Sequence, residues 1–171
     1  YDLAATLASG QAFRWRPVDE AWKGIVAGRW VCLKQTGDSI RAETAVPQTD
    51  WQWLREFLQL DVNLTAVVAT FPDDEPMRAS VAACRGLRLL RQEPWECLVS
   101  FICSSTKQIV QIQQIIALLC ERFGKSIPVA ADVRRLHSPP RPETPDPRPN
   151  PKSEPPNVGS YAGRAFPTAA R

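Results

Sequence analysis

Four stretches carry residue types that could do chemistry. The first is Ser9-Gly10-Gln11-Ala12-Phe13-Arg14-Trp15. A glycine just before an alternating run lets a ligand approach the backbone closely; the plainer role is a turn leading into a strand. The second is Leu87-Arg88-Leu89-Leu90-Arg91-Gln92-Glu93-Pro94-Trp95-Glu96-Cys97. Arg88 and Arg91 could meet phosphates or simply form a solvated face. The third is Ser104-Ser105-Thr106-Lys107-Gln108, between two apolar runs. A polar turn at a helix N-terminus can hold a phosphate through backbone N–H groups and Lys107, or merely join two helices. The fourth is a set of six tryptophans, with Trp51 and Trp53 close together. Their rings can stack on bases, although core packing is their default use.

Other chemistries lack their residues. His137 is the single histidine, which makes a Ser/His/Asp or Cys/His triad improbable. Cys32, Cys84, Cys97, Cys103 and Cys120 show no CxxC spacing. With one histidine they supply no tetrahedral metal set, and no glycine-rich phosphate loop occurs. No metal and no cofactor is expected. The cysteines read instead as free thiols, mostly buried in apolar runs, in an intracellular, reducing compartment.

These stretches need elements to hold them. Residues 11–16, 22–27, 30–34 and 39–43 alternate or cluster apolar residues between turn signals and read as an antiparallel meander. From Asp50 the period becomes helical. Asp50 and Asn63 are expected caps, the helix after Asn63 runs to Phe71, and Asp74-Glu75-Pro76 starts a third. Pro94 opens a helix through Cys103 that is apolar nearly all round and so should be buried on most sides. The next helix presents Ile109, Ile112, Ile115, Ile116, Leu119 and Phe123, and ends at Gly124. A last short helix is expected from Val129 to Leu136.

Composition divides the chain in two. It has 171 residues and 16 prolines, ten of them between Pro139 and Pro167. Residues 138–171 therefore read as an extended, disordered, proline-rich tail. Residues 1–137 carry 16 Lys/Arg against 15 Asp/Glu, so net charge gives no argument for nucleic-acid binding. No apolar run approaches the roughly 20 residues that span a bilayer.

Taken together, the motifs resemble a family. Ser9 to Trp15 is similar to a motif of the 8-oxoguanine DNA glycosylases. Gln59-Leu60-Asp61-Val62 resembles that family's connection after its first helix. Leu89 through Ser105 resembles its buried helix and DNA-facing turn almost residue for residue, with Gly86 and Phe123-Gly124 in register. The resemblance covers about residues 1–128.

It implies an α+β fold. An N-terminal antiparallel β-sheet domain, TATA-binding-protein-like, would occupy residues 1–72. The first helices of a helix-hairpin-helix glycosylase domain would occupy 73–137, with the tail at 138–171. It implies DNA glycosylase and AP lyase chemistry in base excision repair, on a base flipped out of the duplex. Duplex DNA containing 8-oxoguanine is the implied partner, with no membrane involved; the protein would be a monomer, nuclear in a eukaryote and cytoplasmic or nucleoid-bound in a bacterium. Gly10, Gln11 and Phe13 would recognise the base, the Gly10 carbonyl accepting from the N7–H that only the oxidised base offers. Ser104, Ser105, Thr106, Lys107, Gln108 and Gln111 would contact DNA.

Two departures qualify this assignment. Thr106-Lys107-Gln108 replaces the family's asparagine run and Gln111 its arginine, which puts reading of the opposite cytosine in doubt. The family's hairpin lysine, its nucleophile, and a later aspartate have no counterpart. Lys152 lies in Asn150-Pro151-Lys152-Ser153 without the hairpin, and Val158 to Ala165 only faintly resembles a family segment. The expectation is thus no catalytic residue in this chain and an inactive, truncated portion of such an enzyme. The alternatives are a non-catalytic damaged-DNA-binding module, or an interaction domain whose proline-rich tail binds a partner. Cys97, Leu98, Phe101 and Ile102 demand burial on more sides than the neighbouring helices obviously supply.

Overall fold

The computed structural model describes residues 1–105 and 107–129. Thr106, His137, Lys152, the helix expected after Val129 and the proline-rich tail lie outside the described residues.

A four-stranded meander forms, but its first strand starts at Arg16 rather than at Gln11. Strands β1 (Arg16–Val18), β2 (Ala21–Val26), β3 (Arg29–Thr36) and β4 (Ser39–Thr44) make an antiparallel sheet in the order β1-β2-β3-β4. The tight β2–β3 turn is Ala27-Gly28, one residue earlier than expected, with both φ angles positive (48° and 72°). That pair of angles matches the right-handed twist of a two-residue hairpin.

Residues 11–15 are not a strand. Gly10, at φ +81°, turns the chain out of helix α1 (Leu3–Ala8). Phe13 and Trp15, which a strand would set on one face, then enter two separate apolar clusters. Trp15 joins Leu3, Leu7, Val26, Val31, Leu33, Leu54, Phe57, Leu58 and Leu90 in the main core between sheet and helices. It lies directly on Gly24, where an added Cβ would fall 2.5 Å from the indole.

Helix α2 (Gln52–Leu58) turns Leu54, Phe57 and Leu58 into that core. Asp50 is not its N-cap, as expected, but lies one residue before it: Trp51 holds the N-cap position without a side-chain bond, and Asp50 Oδ1 accepts from Gln52 N. Helices α3 (Leu64–Val68) and α4 (Glu75–Ala83) are capped by Asn63 and Asp74 and bury no side chain fully. The expected extension of α3 to Phe71 does not form.

Helices α5 (Pro94–Ser104) and α6 (Ile109–Phe123) pack on each other. Pro94 is in the first turn of α5, and Glu93 caps it by accepting from Glu96 N. Complete burial of α5 is not what the structure shows. Ser100 is its one fully buried residue, while Phe101 is 75% and Ile102 62% exposed. Among the described residues α6 covers one side of α5, and no other element covers the face carrying Phe101 and Ile102. The cysteines follow the same rule. All five are free; Cys120 is buried, Cys32 and Cys103 are half-buried, and Cys84 and Cys97 are exposed on α4 and α5.

Candidate functional site

The segment linking α4 to α5 is the backbone on which the site is assembled. It has no regular secondary structure, so each of its polar groups must find a partner elsewhere. Asp2 N donates to Gly86 O (2.8 Å), Arg88 N to Thr6 Oγ1 (3.2 Å) and Arg91 N to Phe57 O (2.9 Å). Gln11 completes the set: its Nε2 donates to Arg88 O (2.8 Å), and its Oε1 accepts from Leu90 N (2.9 Å). Gly86, at φ +81°, lies so close to Asp2 N that a Cβ would be 2.9 Å from it. Residues 86–91 are thereby pinned to α1, to the Gly10 loop and to α2.

The Gly10 loop also meets the helical hairpin. A Cβ on Gly10 would lie 4.0 Å from Ile109 Cδ1, the first residue of α6. Phe13 packs with Cys103 against Ile112, Ile116 and Cys120. Arg14, its side chain 8% exposed, faces Glu96 of α5 at 3.6 Å. Burial pushes the Glu96 carboxyl up, and Arg14 opposes that shift only in part. Cys120, within reach of the same pair, is also pushed up by burial. Sequence reasoning missed the Arg14–Glu96 contact, because the charges lie 82 positions apart and neither sits in a charge pattern.

The expected site residues fall into two kinds. Gly10, Lys107, Gln108 and the Ser104-Ser105 end of α5 stand together around the α5–α6 turn, with Lys107 and Gln108 exposed. Lys107 N donates to Ser104 O (3.3 Å), which tightens the turn. Gln11 and Phe13 face inward instead, one bonded to residues 88–90 and the other packed on α6. Gln111 Oε1 accepts from Gln108 N (3.1 Å), closing the first turn of α6 in a capping arrangement. Arg88 is structural: Nη1 donates to Val62 O (2.6 Å) and its guanidinium lies 5.7 Å from the Tyr1 ring centre. Trp15 and Trp30 are buried in the fold, and Trp51 stacks on Trp53 at 6.2 Å. Among the described residues no group of three or more His, Cys, Asp or Glu side chains could hold a metal ion. Likewise, none of their helices is long and apolar enough to cross a membrane.

Comparison with known proteins gives this geometry its context. Residues 1–98 match the family described as 8-oxoguanine DNA glycosylase, N-terminal domain. The N-glycosylase/DNA lyase of Saccharomyces cerevisiae is 37% identical over 141 residues, which cover 73% of this chain and 37% of that protein. The N-glycosylase/DNA lyase OGG1 of Arabidopsis thaliana is 31% identical over 122 residues, covering 67% of this chain and 33% of that protein. A solved structure of Clostridium acetobutylicum 8-oxoguanine glycosylase/lyase, in complex with double-stranded DNA containing cytosine opposite 8-oxoguanine, superposes with a TM-score of 0.70. It is 25% identical, and the match covers 80% of this chain and 50% of that one. The chain thus spans about a third of the length of these curated relatives. With an α+β fold of matching order, it belongs to the 8-oxoguanine DNA glycosylase family.

Proposed function

We infer that these 171 residues recognise 8-oxoguanine in duplex DNA, as part of base excision repair, without cleaving it through a lysine Schiff base at the sugar C1′. The observation that carries this is the approach of Gly10 to Ile109. Two motifs nearly a hundred positions apart in sequence border one surface, where a flipped base and the emptied duplex would have to lie together. The Gly10 carbonyl would accept from N7–H of the oxidised base. Guanine presents a lone pair at N7, so the same carbonyl would repel it. Lys107 would neutralise a phosphate next to the turn, giving affinity without sequence information.

The absence of cleavage rests on residue chemistry. A Schiff-base reaction needs a lysine aimed at the sugar C1′. Lys107 belongs to the exposed turn joining α5 and α6, where a backbone-contacting role suits it better. The test incubates the 171-residue chain with an 8-oxoguanine·cytosine duplex and borohydride. Salt-dependent binding without a trapped adduct is the expected result. A covalent adduct would refute the claim that the chain does not cleave, and no binding at any salt would refute DNA recognition itself.

A further inference from the structure

We propose that Gln11 is a positioning residue whose carboxamide substitutes for a strand's peptide group, and that it sets base selectivity through Gly10. This rests on the base-reading role of Gly10 inferred above.

The geometry is specific to an amide of this length. Nε2 donates to Arg88 O at 2.8 Å and to Ser9 Oγ at 2.9 Å, and Oε1 accepts from Leu90 N at 2.9 Å. The two backbone groups it meets flank Leu89 and would otherwise have no partner among the described residues. A neighbouring strand would satisfy both with one donor and one acceptor; here a side chain does it, and residues 11–15 need not form a ladder. What Gln11 bonds to is itself fixed, by Thr6 on Arg88 N, Phe57 O on Arg91 N, and burial of Leu90 in the main core.

Gly10 therefore sits between two anchors. On one side is α1, whose last residues lead into it; on the other is the Gln11 clamp. With φ +81° and no Cβ, its backbone would otherwise be the freest point of the loop. A carbonyl that separates a donor from a lone pair must be held to within a few tenths of an ångström, because hydrogen-bond energy falls steeply with distance and angle. At neutral pH the alternatives fail. Glutamate ionised has no donor for Arg88 O, methionine has neither function, and asparagine is one methylene short.

The test compares affinities of the full chain, and of Gln11→Met and Gln11→Glu, for two duplexes that differ only in 8-oxoguanine against guanine opposite cytosine. Wild type should prefer the damaged duplex by about tenfold, the worth of one well-placed hydrogen bond. Gln11→Met should reduce that ratio to about twofold or less while keeping affinity for the undamaged duplex. Gln11→Glu should lose selectivity at neutral pH and recover it when the introduced carboxyl is protonated and can donate again. A variant that keeps the full ratio overturns the proposal, as does an equal loss on both duplexes, which marks a purely structural residue. If wild type shows no preference, the base-reading role of Gly10 falls and with it the selectivity claim. The clamp is then decided by hydrogen exchange. Faster exchange at residues 10–13 and Leu90 in Gln11→Met, with the sheet unchanged, supports it; unchanged exchange removes it.

Discussion

At the scale of residues, the close contacts around the Gly10 loop are the sensitive points. Gly24 is the clearest. An alanine Cβ would lie 2.5 Å from the Trp15 ring, and that ring is wedged in the main core. Gly24→Ala should lower stability by about 1–3 kcal/mol through overpacking, read as a lower denaturation midpoint in urea. An unchanged midpoint would mean the indole can move away. Arg14 and Glu96 give a second prediction. Burial outweighs the attraction of Arg14 for the ionised carboxyl, so the neutral, isosteric side chain of Glu96→Gln should leave stability at neutral pH unchanged or slightly raised. The pH dependence has a definite sign. Burial raises the Glu96 carboxyl in the folded protein, so the folded state holds its proton at a pH where the unfolded state has lost it. Wild-type stability relative to Glu96→Gln must therefore fall as pH rises from the ordinary glutamate range through the raised value, and hold level above it. A difference that grows with pH in that window would contradict the assignment.

At the scale of elements, legibility followed how local each signal was. Asn63, Asp74 and Pro94 mark helix starts through bonds made within three or four residues, and the structure has all three. Gly124 closes α6 where expected. Residues 11–15 defeated the pattern because alternation cannot tell a strand from a loop that sends alternate aromatics into two clusters. Helix α1 had no strong periodic signal over its six residues. Of the site, the motifs were readable but not their division of labour. That Gln11 turns inward depends on carbonyl and N–H groups nearly eighty positions away. The α5–α6 turn carries its own prediction. Lys107 is exposed at the start of α6, so Lys107→Ala should weaken binding to damaged and undamaged duplexes about equally and reduce the salt slope by about one. A change confined to the damaged duplex would make it a base-reading residue.

At the scale of the whole molecule, the balance of burial is uneven. The sheet, α1, α2 and Leu90 close a core with several fully buried side chains. The hairpin of α5 and α6 buries Ile112, Ile116 and Cys120 in a smaller cluster but leaves Leu98, Phe101, Ile102, Ile109, Val110 and Phe123 exposed. That many exposed apolar side chains favour association or aggregation. The chain should therefore self-associate with rising concentration, measured by light scattering across a dilution series. Because Phe101 is 75% exposed, Phe101→Ser should reduce that association at little cost in stability. Equal association by both proteins would put the sticky surface elsewhere. Exposed Ile109 lies beside the Gly10 loop, so DNA binding is best measured in dilute protein.

The most direct measurement is the ratio of dissociation constants of the 171-residue chain for two otherwise identical duplexes, one with 8-oxoguanine and one with guanine opposite cytosine. A carbonyl held at Gly10 to accept from N7–H predicts tighter binding to the oxidised duplex by about tenfold at a fixed salt concentration. Equal affinity for the two duplexes would contradict it.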